Sequence, residues 1–194
     1  MNNGVAGQLV LGIVGMPGSG KSVAANVGKT LGFSVIVMGD AVREETAGRG
    51  LPLTPENLGH VMLAMREAEG PAVVAKRSIT KVREGMSSRI IIEGVRSLAE
   101  VNEFRKHFSP FQLIAIHASP TTRFRRIFQR RRGDDATDRQ TFTARDEREL
   151  KVGLGSVIAM ADHVIVNEGT ITQFKDQVKT LLETYLCDAG TYPC

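Results

Sequence analysis

The sequence predicts an α/β fold in which a doubly wound, five-stranded parallel sheet is the middle of three layers. Short apolar runs rich in β-branched residues recur along the chain, and segments with helical spacing separate them. The runs are nearly continuous and do not alternate with polar residues, as expected of strands that are buried on both faces of a parallel sheet. Strands and helices that alternate in this way form a sheet with helices on both faces.

Five runs are predicted as strands, at residues 8–14, 33–38, 89–94, 111–118 and 163–169. Helical spacing predicts helices at residues 21–31, 55–69, 71–84, 98–107, 120–132 and 171–185. Residues 137–161 are predicted as two helices with a break near Gly153 and Gly155. Because ligands of such sheets bind beyond the carboxyl ends of the strands, the residues that follow each strand are the candidates for a site.

The composition indicates one globular domain over residues 1–194, since no repeat or linker interrupts a chain with 42% hydrophobic residues. No apolar run has the length of a membrane span, and the N-terminus lacks the pattern of a secretory signal. Cys187 and Cys194 are the two cysteines, so neither a disulfide framework nor a zinc site is expected. These features favour a cytoplasmic protein without a membrane partner, and they leave its oligomeric state open.

A full G-x-x-x-x-G-K-S motif follows the first predicted strand. Its glycines let the backbone N–H groups turn towards phosphate oxygens, and a helix that begins near Lys21 adds its positive end. Lys21 is expected to reach the β- and γ-phosphates, and Ser22 to bind Mg²⁺. The pattern predicts a P-loop nucleotide-binding fold with ATP and Mg²⁺ as cofactors, although GTP as donor remains open. The predicted nucleotide-binding residues are Gly15, Met16, Pro17, Gly18, Ser19, Gly20, Lys21 and Ser22.

Two segments at predicted strand ends resemble the acceptor site of nucleoside monophosphate kinases, and of adenylate kinases in particular. The first contains Gly39-Asp40-Ala41-Val42-Arg43, and the second contains Glu93-Gly94-Val95-Arg96, which is one residue shorter than in those enzymes. The resemblance implies that Arg43 and Arg96 hold the acceptor phosphate, with Asp40 beside it. It implies an acceptor-binding insertion at about residues 39–88.

Glu93 stands where P-loop enzymes place the acidic residue that orients the magnesium shell. Ser22 and Glu93 are therefore the predicted metal residues. A glutamate followed by a glycine is more similar to thymidylate kinases than to adenylate kinases, so the acceptor base is not identified by the sequence.

An arginine-rich segment follows the fourth predicted strand, with six arginines from Arg123 to Arg132. The segment in which Arg132 is followed by two aspartates and later by Arg145 resembles the lid of short-lid kinases. This resemblance implies a helical lid at about residues 128–150. By this resemblance Arg132 and Arg145 are catalytic, together with Lys21, because they neutralise the transferred charge and help to exclude water. The arginines of residues 123–132, which are interleaved with phenylalanines, also fit a patch that binds nucleic acid.

The fifth predicted strand leads into a segment similar to the adenine-binding segment of adenylate kinases and dephospho-coenzyme A kinases. Asn167 and Gly169 are assigned to nucleotide binding by this resemblance. As a whole the chain resembles the P-loop nucleoside monophosphate kinases and, among them, the archaeal adenylate-kinase-related proteins. This implies ATP-dependent phosphoryl transfer to a small-molecule acceptor, a nucleoside monophosphate.

Two alternatives stay open at this point. A kinase that acts on a hydroxyl, such as that of dephospho-coenzyme A, would use Asp40 as its base. The net charge of +4 and the arginine run also fit a nucleotide-dependent NTPase that associates with RNA or the ribosome. We favour the phosphate acceptor, because an anionic oxygen needs positioning and charge neutralisation but no base.

Overall fold

The computed structural model of the chain describes residues 8–130 and 138–188. Within these ranges the chain forms five strands and nine helices. The strands are β1 (Leu9–Val14), β2 (Ser34–Val37), β3 (Arg89–Glu93), β4 (Phe111–His117) and β5 (His163–Val166). The helices are α1 (Lys21–Thr30), α2 (Met38–Gly48), α3 (Pro55–Glu69), α4 (Val73–Glu84), α5 (Leu98–His107), α6 (Pro120–Arg130), α7 (Arg139–Val152), α8 (Leu154–Ala159) and α9 (Ile171–Asp188).

The strands form one sheet in the order β2-β3-β1-β4-β5, and every neighbouring pair is parallel. Gly12 of the central strand β1 lies opposite Ile92 of β3 and Leu113 of β4. One apolar core joins the sheet to α2, α3, α4, α5 and α8, and a second core joins its other face to α1 and α9. The predicted doubly wound, five-stranded parallel sheet is confirmed, and the carboxyl ends of all five strands lie at one edge.

The helix α2 is not predicted by the sequence pattern. It begins at Met38, directly after β2, and carries Asp40 and Arg43 in its first turns. Glycines weaken its intrinsic helical preference, so the helix depends on its packing against the core. Ion pairs to α4 add support, among them Arg77 to Glu45 at 2.6 Å. The helix places Asp40 and Arg43 one turn apart at the edge of the sheet where the strands end.

The turn between α7 and α8 is confirmed where the sequence predicts a break. Gly153 has a φ of 110°, a left-handed conformation that favours glycine, whereas Gly155 lies inside α8. Residues 131–137 of the predicted lid lie outside the described residues, and Arg132 is one of them. Over the described ranges, no helix is long and apolar enough to cross a membrane.

A buried arginine fastens α6 and α7 to the loop between β1 and α1. Arg123 is 3% exposed and donates two hydrogen bonds to the carboxylate of Asp146, at 2.8 and 2.5 Å. The same guanidinium group donates to the carbonyl oxygens of Pro17 and Ala118, each at 3.1 Å, and lies over the ring of Phe142. Because a buried charge is stable only when it is paired and hydrogen-bonded, these contacts hold the two helices in place.

Replacing Asp146 with alanine leaves Arg123 buried without its counterion. We expect the free energy of unfolding to fall by about 3–5 kcal/mol, which is the usual cost of breaking a buried ion pair. Urea denaturation measures this change. Glu147→Ala is the matched control, because Glu147 is exposed on the same helix, and we expect it to change stability by less than about 0.5 kcal/mol. Equal losses in the two variants would contradict the role of the pair.

Candidate functional site

The carboxyl ends of the strands open into a cleft of about 670 Å³. Its described lining contains seven basic side chains and three acidic ones. An excess of positive charge gives a cleft a positive electrostatic potential that attracts anionic ligands, so this cleft suits a polyanion. The basic residues are Lys21, Lys29, Arg43, Arg96, Arg126, Arg130 and Arg145, and the acidic residues are Asp40, Glu93 and Glu149.

The loop at residues 15–20 is packed so tightly that none of its three glycines has room for a side chain, and a Cβ atom at Gly18 would lie 2.9 Å from the carbonyl oxygen of Arg123. A Cβ atom at Gly15 would collide with the carbonyl oxygen of Ile116, and one at Gly20, where φ is 112°, would collide with the amide of Asn167. The helix α1 begins directly after this loop, so its positive end lies at the cleft. Of the predicted nucleotide-binding residues of the motif, Met16 packs against the core, Ser19 is buried, and the others line the cleft: Gly15, Pro17, Gly18, Gly20, Lys21 and Ser22.

The ammonium group of Lys21 is held by the loop itself. Its Nζ atom donates to the carbonyl oxygen of Gly15 at 2.8 Å and to that of Met16 at 3.2 Å. Burial lowers the pKa of Lys21 to about 8, an effect that the charge of Glu93 opposes and that of Arg96 reinforces. The charge of this lysine therefore depends on pH just above neutrality.

Ser22 and Glu93 meet at the floor of the cleft. Ser22 Oγ donates to Glu93 Oε1 at 2.9 Å, which joins the start of α1 to the end of β3. Hydroxyl and carboxylate oxygens are ligands that Mg²⁺ accepts, directly or through water. Residues 8–130 and 138–188 contain no group of three or more His, Cys, Asp or Glu that could hold a metal ion. The pair therefore fits a Mg²⁺ ion that takes its remaining ligands from phosphate oxygens and water.

The predicted acceptor residues Asp40, Arg43 and Arg96 all line the same cleft as Lys21. Asp40 and Arg43 follow β2, and Arg96 follows the neighbouring parallel strand β3, so the two segments lie side by side. Arg43 Nη1 donates to Asp40 Oδ1 at 2.6 Å, and Arg96 Nη1 lies 3.6 Å from Glu149 Oε1. Both arginines are thus within the cleft, and each faces a carboxylate.

Arginines of α6 and α7 also line the cleft. Arg145 of α7 is among them, as the lid resemblance predicts, while Arg132 lies outside the described residues. Arg126 and Arg130 of α6 also line the cleft, and the sequence analysis did not single them out. Their spacing of four residues on a predicted helix was the available signal, because it places two side chains on one face. Arg126 Nη1 is buried without a hydrogen-bond partner among the described residues.

Asn167 lies behind the P-loop, and neither it nor Gly169 lines the cleft. The Asn167 side chain is 4% exposed, and its Nδ2 donates to the carbonyl oxygen of Ser19 at 2.8 Å. Its Oδ1 accepts from Arg126 Nη2 at 3.2 Å. Asn167 therefore connects the P-loop to a cleft arginine of α6.

Glu168 caps the start of α6, a role that the sequence analysis missed. Its carboxylate accepts from the backbone N–H of Ser119 and from Thr122 Oγ1, the latter at 2.6 Å. The bond from the Ser119 N–H, together with that from Thr122, lowers the pKa of Glu168 to about 2. An anionic carboxylate at a helix N-terminus also fits the helix dipole, so Glu168 helps to orient the helix that carries Arg126 and Arg130.

ATP binding is expected to weaken as the pH rises through about 8, because a neutral Lys21 offers no charge to the phosphates. Bound phosphates favour the charged lysine, so its pKa is higher in the complex than in the free protein. At pH 8.5 ATP binding should therefore take up protons. Calorimetry in two buffers of different ionisation enthalpy measures this uptake.

Lys21→Arg is the control for this pH effect, since arginine keeps its charge throughout this range. The variant should bind ATP without proton uptake at pH 8.5. Binding of ATP to the wild type with no net proton uptake would show that Lys21 is already fully charged there.

Residues 14–143 match the family described as AAA domain. The chain is 44% identical to a UPF0200 protein of Methanocaldococcus jannaschii, with 95% of this chain and 94% of the relative covered. It is 45% identical to a UPF0200 protein of Hyperthermus butylicus, with 91% and 95% covered.

Two solved structures have the same fold at low sequence identity. TT1252 from Thermus thermophilus aligns with a TM-score of 0.63 and 17% identity, over 91% of this chain and 97% of that chain. A shikimate kinase from Acinetobacter baumannii, in complex with shikimate, aligns with a TM-score of 0.58 and 12% identity, over 93% and 94%. At these identities the likeness shows the fold alone, which is that of the P-loop kinases.

Proposed function

This chain belongs to the UPF0200 family and carries an AAA domain, and we propose that it transfers the γ-phosphoryl group of ATP to a nucleoside monophosphate, as adenylate kinases do. Its P-loop kinase fold is consistent with nucleotide-dependent phosphoryl transfer. The observation that carries the proposal is that Arg43 and Arg96 share one cleft with Lys21. A phosphate-binding loop and two further arginines at neighbouring strand ends suit a donor and an acceptor that are both phosphorylated.

The donor side is formed by the P-loop and the start of α1. Backbone N–H groups and the positive helix end bind the phosphates, and Lys21 adds a charge at the β- and γ-phosphates. Ser22 and Glu93 would hold Mg²⁺, which when bound neutralises charge on the phosphate oxygens. The 2.9 Å contact between these two side chains supports their assignment to one metal shell.

On the acceptor side, Arg43 and Arg96 would bind the monophosphate through hydrogen bonds from their planar guanidinium groups. An oxygen of this phosphate attacks the γ-phosphorus, the bond to the β–γ bridging oxygen breaks, and ADP leaves. The attacking oxygen is already anionic, so the residues supply position and charge neutralisation and no base. Arg145 and the two cleft arginines of α6 would neutralise the transferred group, with Arg132 as a further proposed participant.

A kinase that acts on a hydroxyl is the second candidate. It is favoured by the presence of Asp40 in the cleft and by the fold shared with a shikimate kinase whose structure contains shikimate. A base must be available to accept the proton of the hydroxyl. The Asp40 carboxylate is bound by Arg43 at 2.6 Å, which competes for the oxygen that a hydroxyl would need. We place the phosphate acceptor first because two arginines, Arg43 and Arg96, line the cleft together with the P-loop.

The proposal is tested by release of ADP from ATP and Mg²⁺ in the presence of single acceptors. We expect at least one of AMP, CMP, UMP, GMP and dTMP to stimulate release strongly, because the two acceptor arginines match a monophosphate. Stimulation by dephospho-coenzyme A or shikimate alone would instead make Asp40 a base. Slow hydrolysis that no acceptor stimulates would overturn the kinase assignment and favour an NTPase with a macromolecular partner such as RNA.

Replacing Arg43 with glutamine should raise the KM for the acceptor by roughly 10- to 100-fold, the usual effect of losing a charged hydrogen bond. The KM for ATP should change by less than about threefold, because Arg43 is proposed to contact the acceptor and not ATP. Steady-state kinetics with each substrate varied in turn measures both. Arg49→Gln is the control, because Arg49 is exposed just after α2 and does not line the cleft. Equal increases in the two KM values for Arg43→Gln would reject its role at the acceptor.

A further inference from the structure

A carboxylate lies among the arginines of the cleft and has no part in the mechanism above. Glu149 follows Arg145 by four residues on α7, so the two side chains lie on the same face of the helix, and both line the cleft. The Glu149 side chain is 13% exposed, and its Oε1 lies 3.6 Å from Nη1 of Arg96. The residue therefore contacts one of the two proposed acceptor arginines.

The position of Glu149 is fixed by the buried anchor of its helix. Asp146, three residues earlier on α7, is bound through two oxygens to the buried Arg123. Arg123 in turn donates to the carbonyl oxygen of Pro17 in the P-loop. Moving Glu149 out of the cleft as a rigid part of α7 would break this buried pair, which is costly. The anchored helix therefore holds the backbone of Glu149 near Arg96.

The charge of Glu149 also reaches the donor side of the cleft. Burial lowers the pKa of Lys21, and Glu149, like Glu93, acts in the opposite direction. A phosphate dianion bound to Arg96 would lie close to this carboxylate, at a separation where like charges repel. Any anion that binds Arg96 therefore has to displace Glu149 or tolerate its charge.

We propose that Glu149 is a positioning residue, which holds Arg96 and competes with the acceptor phosphate for it. The inference rests on the proposed function, since it takes Arg96 as a ligand of the acceptor phosphate. A fixed competitor weakens every anion at this position, and an acceptor recovers affinity through the contacts of its nucleoside elsewhere in the cleft. Free inorganic phosphate has no such contacts, so Glu149 keeps the affinity of this position for free phosphate low and leaves Arg96 available to the larger acceptor.

Glu149→Gln tests this competition, because glutamine keeps the size of the side chain and removes its charge. The P-loop is first saturated with Mg²⁺ and AMP-PNP, so that added inorganic phosphate probes the acceptor side. We expect the Kd for inorganic phosphate, measured by calorimetry, to fall about tenfold in the variant. The KM of the acceptor should also fall, and kcat should change by a smaller factor than KM.

Two further variants separate this effect from a general loss of charge or of structure. Glu147→Gln removes the same charge from an exposed position of α7 that does not line the cleft, and it should leave the Kd for phosphate unchanged. In an Arg96→Gln background, Glu149→Gln should have no further effect, because the residue acts through Arg96. Thermal unfolding of each variant checks that the fold is kept.

An unchanged or higher Kd for phosphate in Glu149→Gln overturns the inference, and so does the same tightening in the Arg96→Gln background. Absence of measurable phosphate binding in both the wild type and Glu149→Gln overturns it as well. If no acceptor is phosphorylated but Glu149→Gln lowers the Kd for phosphate only when Arg96 is present, the proposed function is rejected and the competition between Glu149 and phosphate is supported. If a monophosphate is phosphorylated and neither its KM nor the Kd for phosphate responds, the function stands and the role of Glu149 is rejected.

Discussion

The guanidinium group of Arg123 joins three parts of the site that are far apart in the sequence. It is buried, it is bound through two oxygens by Asp146 of α7, and it donates to the carbonyl oxygen of Pro17 in the P-loop. Because such a charge is stable only with all its partners in place, the phosphate-binding loop and the two arginine-bearing helices keep a fixed relation. The positions of Arg126, Arg145 and the other cleft residues of these helices depend on this pair.

The parallel sheet supplies the second constraint, since it brings every strand end to the same edge. The P-loop follows β1, the segment with Arg43 follows β2, and the segment with Glu93 and Arg96 follows β3. A donor phosphate held at β1 and an acceptor held at β2 and β3 would therefore lie next to each other. Asn167 and Glu168, which follow β5, brace the P-loop and the start of α6 from the opposite side.

Carboxylates in the cleft moderate its positive charge. Asp40 pairs with Arg43, Glu149 faces Arg96, and Glu93 meets Ser22 at the predicted metal position. Each of these side chains keeps a basic or polar group in a defined orientation, so fewer rotamers have to be fixed when an anion binds. The same contacts make anions compete with internal partners, so an anion must make several contacts in the cleft to bind tightly.

The sequence by itself determined the sheet and the P-loop with Lys21 and Ser22, because these depend on local periodicity and on motif spacing. Arg43 and Arg96 were candidates through a family resemblance, and Glu93 through its place at the end of the third strand; all three line the same cleft. Only the tertiary structure decided which other residues join them. The helix α2 exists because the core and α4 stabilise a segment of weak helical preference. Asn167 faces the P-loop, and Glu149 reaches Arg96 across 53 positions of the chain, because packing between elements sets such contacts and no local pattern encodes them.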